Sequence, residues 1–270
     1  MQKILALSCC CVDFFPEQDI IQVGGNALNV AVSCAKAGNA DVYLMGYVGT
    51  DLYGKKIKQT ADKYGISREK LYTVEGETAS NKLYLTESGE KYEKEDSWNS
   101  GVLNQFWLSP ESEKFIITEG FDVITVTSSR GLIPNLAKLR EESEFLLCAD
   151  FMDHTPTNEW CEHFPSINLI FAGTKGKYLP LFKKWSTEFP DVVFVATLGA
   201  DGSVAFKNGE EFRCNAVKVD EVIDTTGCGD SYQGAFIVEY LNSGDILSAM
   251  KAGAESAAVT LSHVGAIQDI

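Results

Sequence analysis

Short apolar runs alternate with amphipathic stretches along most of this chain. Residues 4–12 (ILALSCCCV) read as a buried strand, and 42–48, 123–127, 145–151, 168–172 and 192–198 repeat that character. Between them the spacing turns helical. Residues 26–37 set Ala27, Val30, Ala31, Cys34 and Ala35 on one face before Gly38 stops the turn, and 52–64 form a second such stretch ahead of Gly65. Strands spaced by helices require crossover connections, which are right-handed and produce a mostly parallel central sheet covered by helices on both faces. The predicted fold class is therefore α/β, with residues 1–270 as one domain. Ligands of such sheets bind beyond the carboxyl ends of the strands.

Two regions break the rhythm. Residues 18–23 read as a short extended piece, and 78–98 alternate polar and apolar positions around a Ser88-Gly89 turn. Together they predict a small β-flap over about 13–23 and 78–100. It reads equally well as a lid over a cleft or as an edge hairpin. There is no internal repeat, and no linker separates two independent domains.

Charge narrows the partners. Lys and Arg total 23 against 38 Asp and Glu, a formal net charge of -15. Such a surface repels nucleic-acid backbones and anionic lipid. No apolar stretch approaches the roughly 18 residues that span a bilayer, so no membrane partner is expected either. An anionic ligand would need a local positive field from backbone amides or a metal. The opening MQKILALSC breaks at Asp13, too soon for a signal peptide, and reads as the first strand instead. Eight cysteines include the adjacent Cys9, Cys10 and Cys11, no pair has CxxC spacing, and histidines number three. Zinc has little support. Free thiols in a reducing cytoplasm fit that pattern.

The strongest candidate chemistry is DTTGCGDS, beginning at Asp224 and opening an amphipathic helix that stops at Gly244. Gly227 and Gly229 let backbone N–H groups turn inward together, forming an anion nest at a helix N-terminus with the helix dipole behind it. Asp230 stands in the first turn. It either caps the helix or takes the proton from a hydroxyl nucleophile in phosphoryl transfer. A second motif, GGNALN from Gly24, opens the first helix. Gly24 and Gly25 admit a ligand to the backbone and Asn29 reaches a polyol, or the motif is only a turn and cap. Asp13 ends the first predicted strand, at the edge where ligands bind or simply in a turn. In TLGADG, Thr197, Gly199 and Gly202 form a tight hairpin turn, of type I′ or II′, or set backbone amides against a nucleotide. GTKGK from Gly173 is not a P-loop, because its glycine spacing is wrong and Tyr178 replaces the Mg²⁺-binding Ser or Thr. No GxGxxG follows the first strand, which removes the main support for a dinucleotide oxidoreductase.

In order and spacing, these motifs resemble the ribokinase or PfkB family of carbohydrate kinases over essentially the whole chain. That resemblance implies a ribokinase-like fold with a small β-lid, ATP with Mg²⁺, and transfer of the γ-phosphoryl group to a hydroxyl of a small-molecule sugar. By position, it implies Asp230 as general base and the amides of Gly227, Cys228 and Gly229 as the anion hole. Asp13, Gly24, Gly25 and Asn29 would hold the sugar, and Thr197, Gly199 and Gly202 would border the nucleotide. Asp224 and Thr226 would hold a monovalent cation such as K⁺, near Gly265. Within the family, the stretches around Asp13, 24–32, 47–54 and 149–153 resemble members acting on ketosamines, adducts of a sugar with an amine. Two departures stand out. Cys228 replaces the anion hole's usual alanine, and the N-x-x-E element expected near 172–176 has neither Asn nor Glu, so the Mg²⁺ ligands are unknown apart from a role for Asp150. Alternative readings are a kinase of a free sugar or nucleoside, or a catalytically silent ligand-binding homologue. An exposed lid would also permit a homodimer.

Overall fold

The computed structural model describes residues 1–128, 131–152, 158–174 and 176–268. From the N-terminus the chain runs β1 (Gln2–Ser8), β2 (Cys11–Phe15), β3 (Ile20–Gly24), α1 (Asn26–Ala37), β4 (Ala40–Gly49), α2 (Leu52–Lys63) and β5 (Leu71–Val74). Four short strands follow, β6 (Ala79–Lys82), β7 (Tyr84–Leu85), β8 (Lys91–Tyr92) and β9 (Trp98–Asn99), and then α3 (Pro110–Glu119). Next come β10 (Val123–Thr127), α4 (Leu132–Leu139), β11 (Leu146–Asp150), β12 (Leu169–Gly173), α5 (Leu179–Glu188) and β13 (Val193–Thr197). The chain finishes with β14 (Ser203–Lys207), β15 (Glu210–Cys214), α6 (Cys228–Ser243) and α7 (Ile246–Thr260).

Nine strands form the central sheet, in the order β15-β14-β13-β12-β11-β10-β1-β4-β5. All pair in parallel except at β14 and β15, which are antiparallel. Side-chain alternation feeds two cores, one on each face. Ile4 and Ala6 of β1 enter one core while Leu5 and Leu7 enter the other, and Val193 and Val195 of β13 divide from Phe194 and Ala196 in the same way. Helix α6 is buried through residues 230–238, which is why apolar residues surround it instead of forming one stripe. Its Phe236 is fully buried, which contributes about 1.5–3 kcal/mol by the usual burial relation. Gly234 lets α6 press on α1, since a Cβ there would stand 2.5 Å from Ser33 Cβ and 2.8 Å from the Val30 carbonyl. Ser33 Oγ donates to the Ser231 carbonyl across that contact at 2.7 Å. The first half of α6 is thereby held against the middle of α1.

A second sheet, in the order β3-β2-β6-β9, stands apart from the first, and β7 pairs with β8 as a hairpin. Asp51 anchors it. That carboxylate caps α2 through Gly54 N at 2.8 Å and accepts from Thr78 N and Thr78 Oγ1 at 2.7 and 2.6 Å, at the foot of β6.

Three expectations need correction. The apolar run 4–12 is two strands in different sheets, because Ser8 adopts a left-handed φ of 98° and Cys11–Phe15 leaves to join the second sheet. Both halves are buried, so their apolar character runs on through the break. Asp13 consequently lies in the middle of β2, not at a strand end. The turn after β13 is a single 3₁₀ turn over Gly199–Asp201 within a longer loop, closed by Leu198 N donating to the Gly202 carbonyl at 2.8 Å, and not a two-residue hairpin turn.

Candidate active site

The carboxyl ends of the parallel strands, the first turn of α6 and the second sheet converge on one place. Gly227 begins α6 in the left-handed conformation, φ 74°. A Cβ there would collide with the Ala266 side chain. The preceding turn is closed by Asp224, which is fully buried. Its Oδ1 accepts from Thr226 N and Thr226 Oγ1 at 2.8 and 2.7 Å, and its Oδ2 from Gly265 N at 2.7 Å. Asp224 and Thr226 therefore meet near Gly265, and both Asp224 oxygens face N–H and O–H donors. In this conformation the group clamps a loop.

The nest is partly spent within the protein. Cys228 N makes a long bond to the Thr225 carbonyl at 3.3 Å, whereas Gly227 N and Gly229 N have no acceptor among the described residues. A Cβ on Gly229 would meet no atom within 4 Å, so the space beside this amide is open. The Cys228 thiol is pushed up to about 12 by burial, with Asp224 and Asp230 adding to the rise. It stays protonated at neutral pH, and what it offers is its backbone.

Asp230 is buried and turned into the site. Asn26 Nδ2 donates to its Oδ1 at 2.6 Å and Asn29 Nδ2 to its Oδ2 at 2.8 Å. Both asparagines lie in the first turn of α1, three residues apart and so on one face. Asn26 also approaches Asp150 Oδ2 at 3.5 Å, which brings the end of β11 to the same point. Sequence reasoning singled out Asn29 and passed over Asn26. The i, i+3 asparagine pair straight after two glycines was the available signal.

On the other side stands Asp13, 6% exposed. A Cβ on Gly24 would approach Asp13 Oδ2 at 2.5 Å and Asn29 Oδ1 at 3.7 Å, so these acceptors share one wall with that glycine. Burial is the main reason the Asp13 carboxyl rises to about 7; Lys91 and a hydrogen bond from Cys11 oppose the rise, and Asp230 and Asp224 assist it. Gly25 serves another end. At φ 95°, it lets the α1 N-terminus abut the β1–β2 connection, where a Cβ would stand 2.7 Å from the Cys9 carbonyl and 2.8 Å from Cys11 N.

The hairpin bears directly on the nest. Lys91 N donates to Thr225 Oγ1 at 3.1 Å, and Thr225 N donates to the Gly89 carbonyl at 3.1 Å. Lys91 acts electrostatically on both Asp13 and Cys228. Nothing local in the sequence announced this lysine, because its place depends on where the hairpin lands.

The predicted nucleotide residues form a separate rim. Ser203 Oγ and the Tyr232 hydroxyl share a hydrogen bond at 2.9 Å, so the loop from Thr197 lies beside α6. Gly199 faces open space, and Gly202 packs on the backbone of 214–216, where a Cβ would stand 2.7 Å from Ala216 N. The 172–176 stretch supplies no carboxylate, and Lys175 lies outside the described residues. Among the described residues no three His, Cys, Asp or Glu side chains gather to hold a metal ion, and no helix is long and apolar enough to cross a membrane.

Residues 18–270 match the profile of the pfkB family carbohydrate kinases. The chain is similar to fructoselysine 6-kinase of Shigella flexneri, 28% identical over 271 residues that take in 98% of this chain and 100% of that protein. It is similar to ribokinase of Lactococcus lactis, 27% identical over 93% of this chain and 87% of the other. In fold it superposes on adenosine kinase from Sinorhizobium meliloti with a TM-score of 0.82 at 17% identity, covering 100% of this chain and 96% of that one.

Proposed function

The chain belongs to the pfkB family of carbohydrate kinases, and from that premise we propose that it phosphorylates a hydroxyl of a ketosamine, a fructoselysine-like adduct of a sugar with an amine. The general activity, phosphoryl transfer to an alcohol, follows from the family. Support for the ketosamine comes from full-length similarity to a fructoselysine 6-kinase. One observation carries the site assignment: Asp230 stands one residue from an amide that opens on free space, its carboxylate oriented by two asparagines.

In this reading the acceptor lies between Asp13, Gly24, Gly25 and Asn29, with its reactive hydroxyl toward Asp230. Asp230 takes the hydroxyl proton as that oxygen bonds to the γ-phosphorus of ATP, and the bond to the leaving ADP oxygen breaks. Gly227 N and Gly229 N, with the α6 dipole behind them, receive the negative charge that builds on the phosphoryl oxygens. Thr197, Gly199 and Gly202 border the nucleotide. Magnesium, which family members use with ATP, supplies charge neutralisation of the phosphates when bound. The thin donor set fits an ion held mainly by phosphates and water, with Asp150 the carboxylate at hand. The flap acts as a lid that excludes water.

A coupled assay of ADP release against ketosamines, free ketoses and nucleosides tests this. Turnover of ketosamines with Mg²⁺ and ATP supports it; turnover restricted to ketoses or nucleosides refutes the acceptor, and nucleotide binding without any turnover refutes the kinase. A cytoplasmic location and a homodimer through the lid complete the proposal. The outer strands of the lid sheet are β3 and β9, and sedimentation of the purified chain checks the assembly.

A further inference from the structure

The lid sheet carries a row of side chains that phosphoryl transfer does not use. Its register sets Gln22, Asp13, Asn81 and Trp98 side by side across β3, β2, β6 and β9, and directly paired residues share a face. Asp13 identifies that face as the one turned to the site. Adjacent strands stand about 4.8 Å apart, so Asn81 and then Trp98 continue the line away from Asp230 in steps of roughly that length.

Two carboxamides, Asn29 of α1 and Asn81 on this line, are fixed as acceptors. Asn29 Nδ2 donates to Asp230 and Asn81 Nδ2 donates to Glu93 Oε1, each at 2.8 Å. An ionised carboxylate only accepts, so each amide must keep its nitrogen there and turn its oxygen elsewhere. Both Oδ1 atoms are buried without a hydrogen-bond partner among the described residues, as is Gln22 Oε1. Buried polar atoms in native proteins find partners. These three, with Asp13 between them, call for a ligand rich in donors. At the outer end Trp98 is 46% exposed and Glu93 is exposed as well. An aromatic face and a carboxylate beside an acceptor-only amide hold a cation.

We infer that Asn81, Glu93 and Trp98 form a second subsite, beyond the sugar, for the protonated amine of the acceptor. The amine N–H groups donate to Asn81 Oδ1, Glu93 supplies the opposing charge, and the amine's substituent covers the Trp98 ring. This rests on the kinase reading, in which the sugar occupies the space between Asp13 and Asn29. A free sugar would fill the inner part and leave the outer one unused.

The test uses the full chain and two acceptors of equal length: a 1-alkylamino-1-deoxyfructose and the ether in which oxygen replaces the amine nitrogen. The amine is expected to exceed the ether in kcat/KM by about tenfold. Trp98→Leu and Glu93→Gln should each shrink that ratio roughly threefold or more, with unchanged thermal unfolding. A ratio near one in the parent chain, or one that neither substitution moves, overturns the subsite. Should neither compound be phosphorylated, the kinase reading fails separately, and calorimetric titration of the same pair decides the subsite. Tighter amine binding that Trp98→Leu weakens supports it; equal binding, or none, overturns it.

Discussion

Replacing Asp13 by asparagine should stabilise the protein while harming its affinity for the acceptor. The Asp13 carboxyl rises from 3.8 to about 7 in the folded chain, chiefly through burial. The folded state therefore holds this proton more tightly than the unfolded state does. Its contribution to stability is fully present below about pH 4 and is lost as pH rises through 7. At about 1.4 kcal/mol for each pKa step, the whole loss approaches about 4 kcal/mol. Asparagine keeps the shape of the neutral acid and has nothing to ionise. Measured by urea unfolding, the variant and the parent should converge near pH 4 and separate as pH rises, with the variant ahead at pH 8 by up to about 4 kcal/mol. For a chain of this size that is on the order of 10 °C in Tm. In the same preparation KM for the sugar should rise roughly ten- to hundredfold, since a hydrogen bond to a charged acceptor is lost. A stability difference that stays flat from pH 4 to pH 8 would refute the burial argument. An unchanged KM would remove Asp13 from the ligand.

Asp230→Asn should lower kcat by about 10²–10⁴-fold with little change in acceptor binding, as loss of a general base does; steady-state kinetics beside calorimetric titration checks this. Gly227→Ala meets both a left-handed φ and the Ala266 side chain, so chemical unfolding should show a loss of about 2 kcal/mol or more. Gly229→Ala meets open space; it should unfold no more easily than the parent, because alanine favours a helix by about 0.5–1 kcal/mol, yet raise KM for ATP. Lys91→Met withdraws the charge that holds the Asp13 carboxyl down, so the acidic limb of the kcat/KM profile should move to higher pH.

Legibility in the sequence followed the range of the interactions. Helix α1 occupies Asn26–Ala37, the span marked out by its 3.6-residue spacing and by Gly38, because caps and helix faces are local. The DTTGCGD stretch was readable for the same reason: the nest, the left-handed Gly227 and the placement of Asp230 all lie within seven consecutive residues. The break at Ser8 was hidden because both flanking strands are buried and a single serine between apolar runs does not mark a bend. Lys91, Asn81 and Trp98 were hidden more deeply. Their position depends on the pairing of β2 with β6 and of β6 with β9, and on two hydrogen bonds between the hairpin and Thr225, a residue 134 positions beyond Lys91. No window of sequence contains both halves of such a contact. Asn26 was visible in the sequence, but its tie to Asp230 was not, for the same reason.

Thr225 is gripped at both its amide and its hydroxyl by the hairpin tip, two residues before the glycine that starts α6. The hairpin is thereby tied to the backbone that leads into α6. In the proposed kinase reading, lifting it tugs on the backbone assigned to the phosphates, so release of the spent nucleotide and slackening of its cradle are one mechanical event. Stiffening that joint should lengthen the interval between turnovers without touching the chemistry within each.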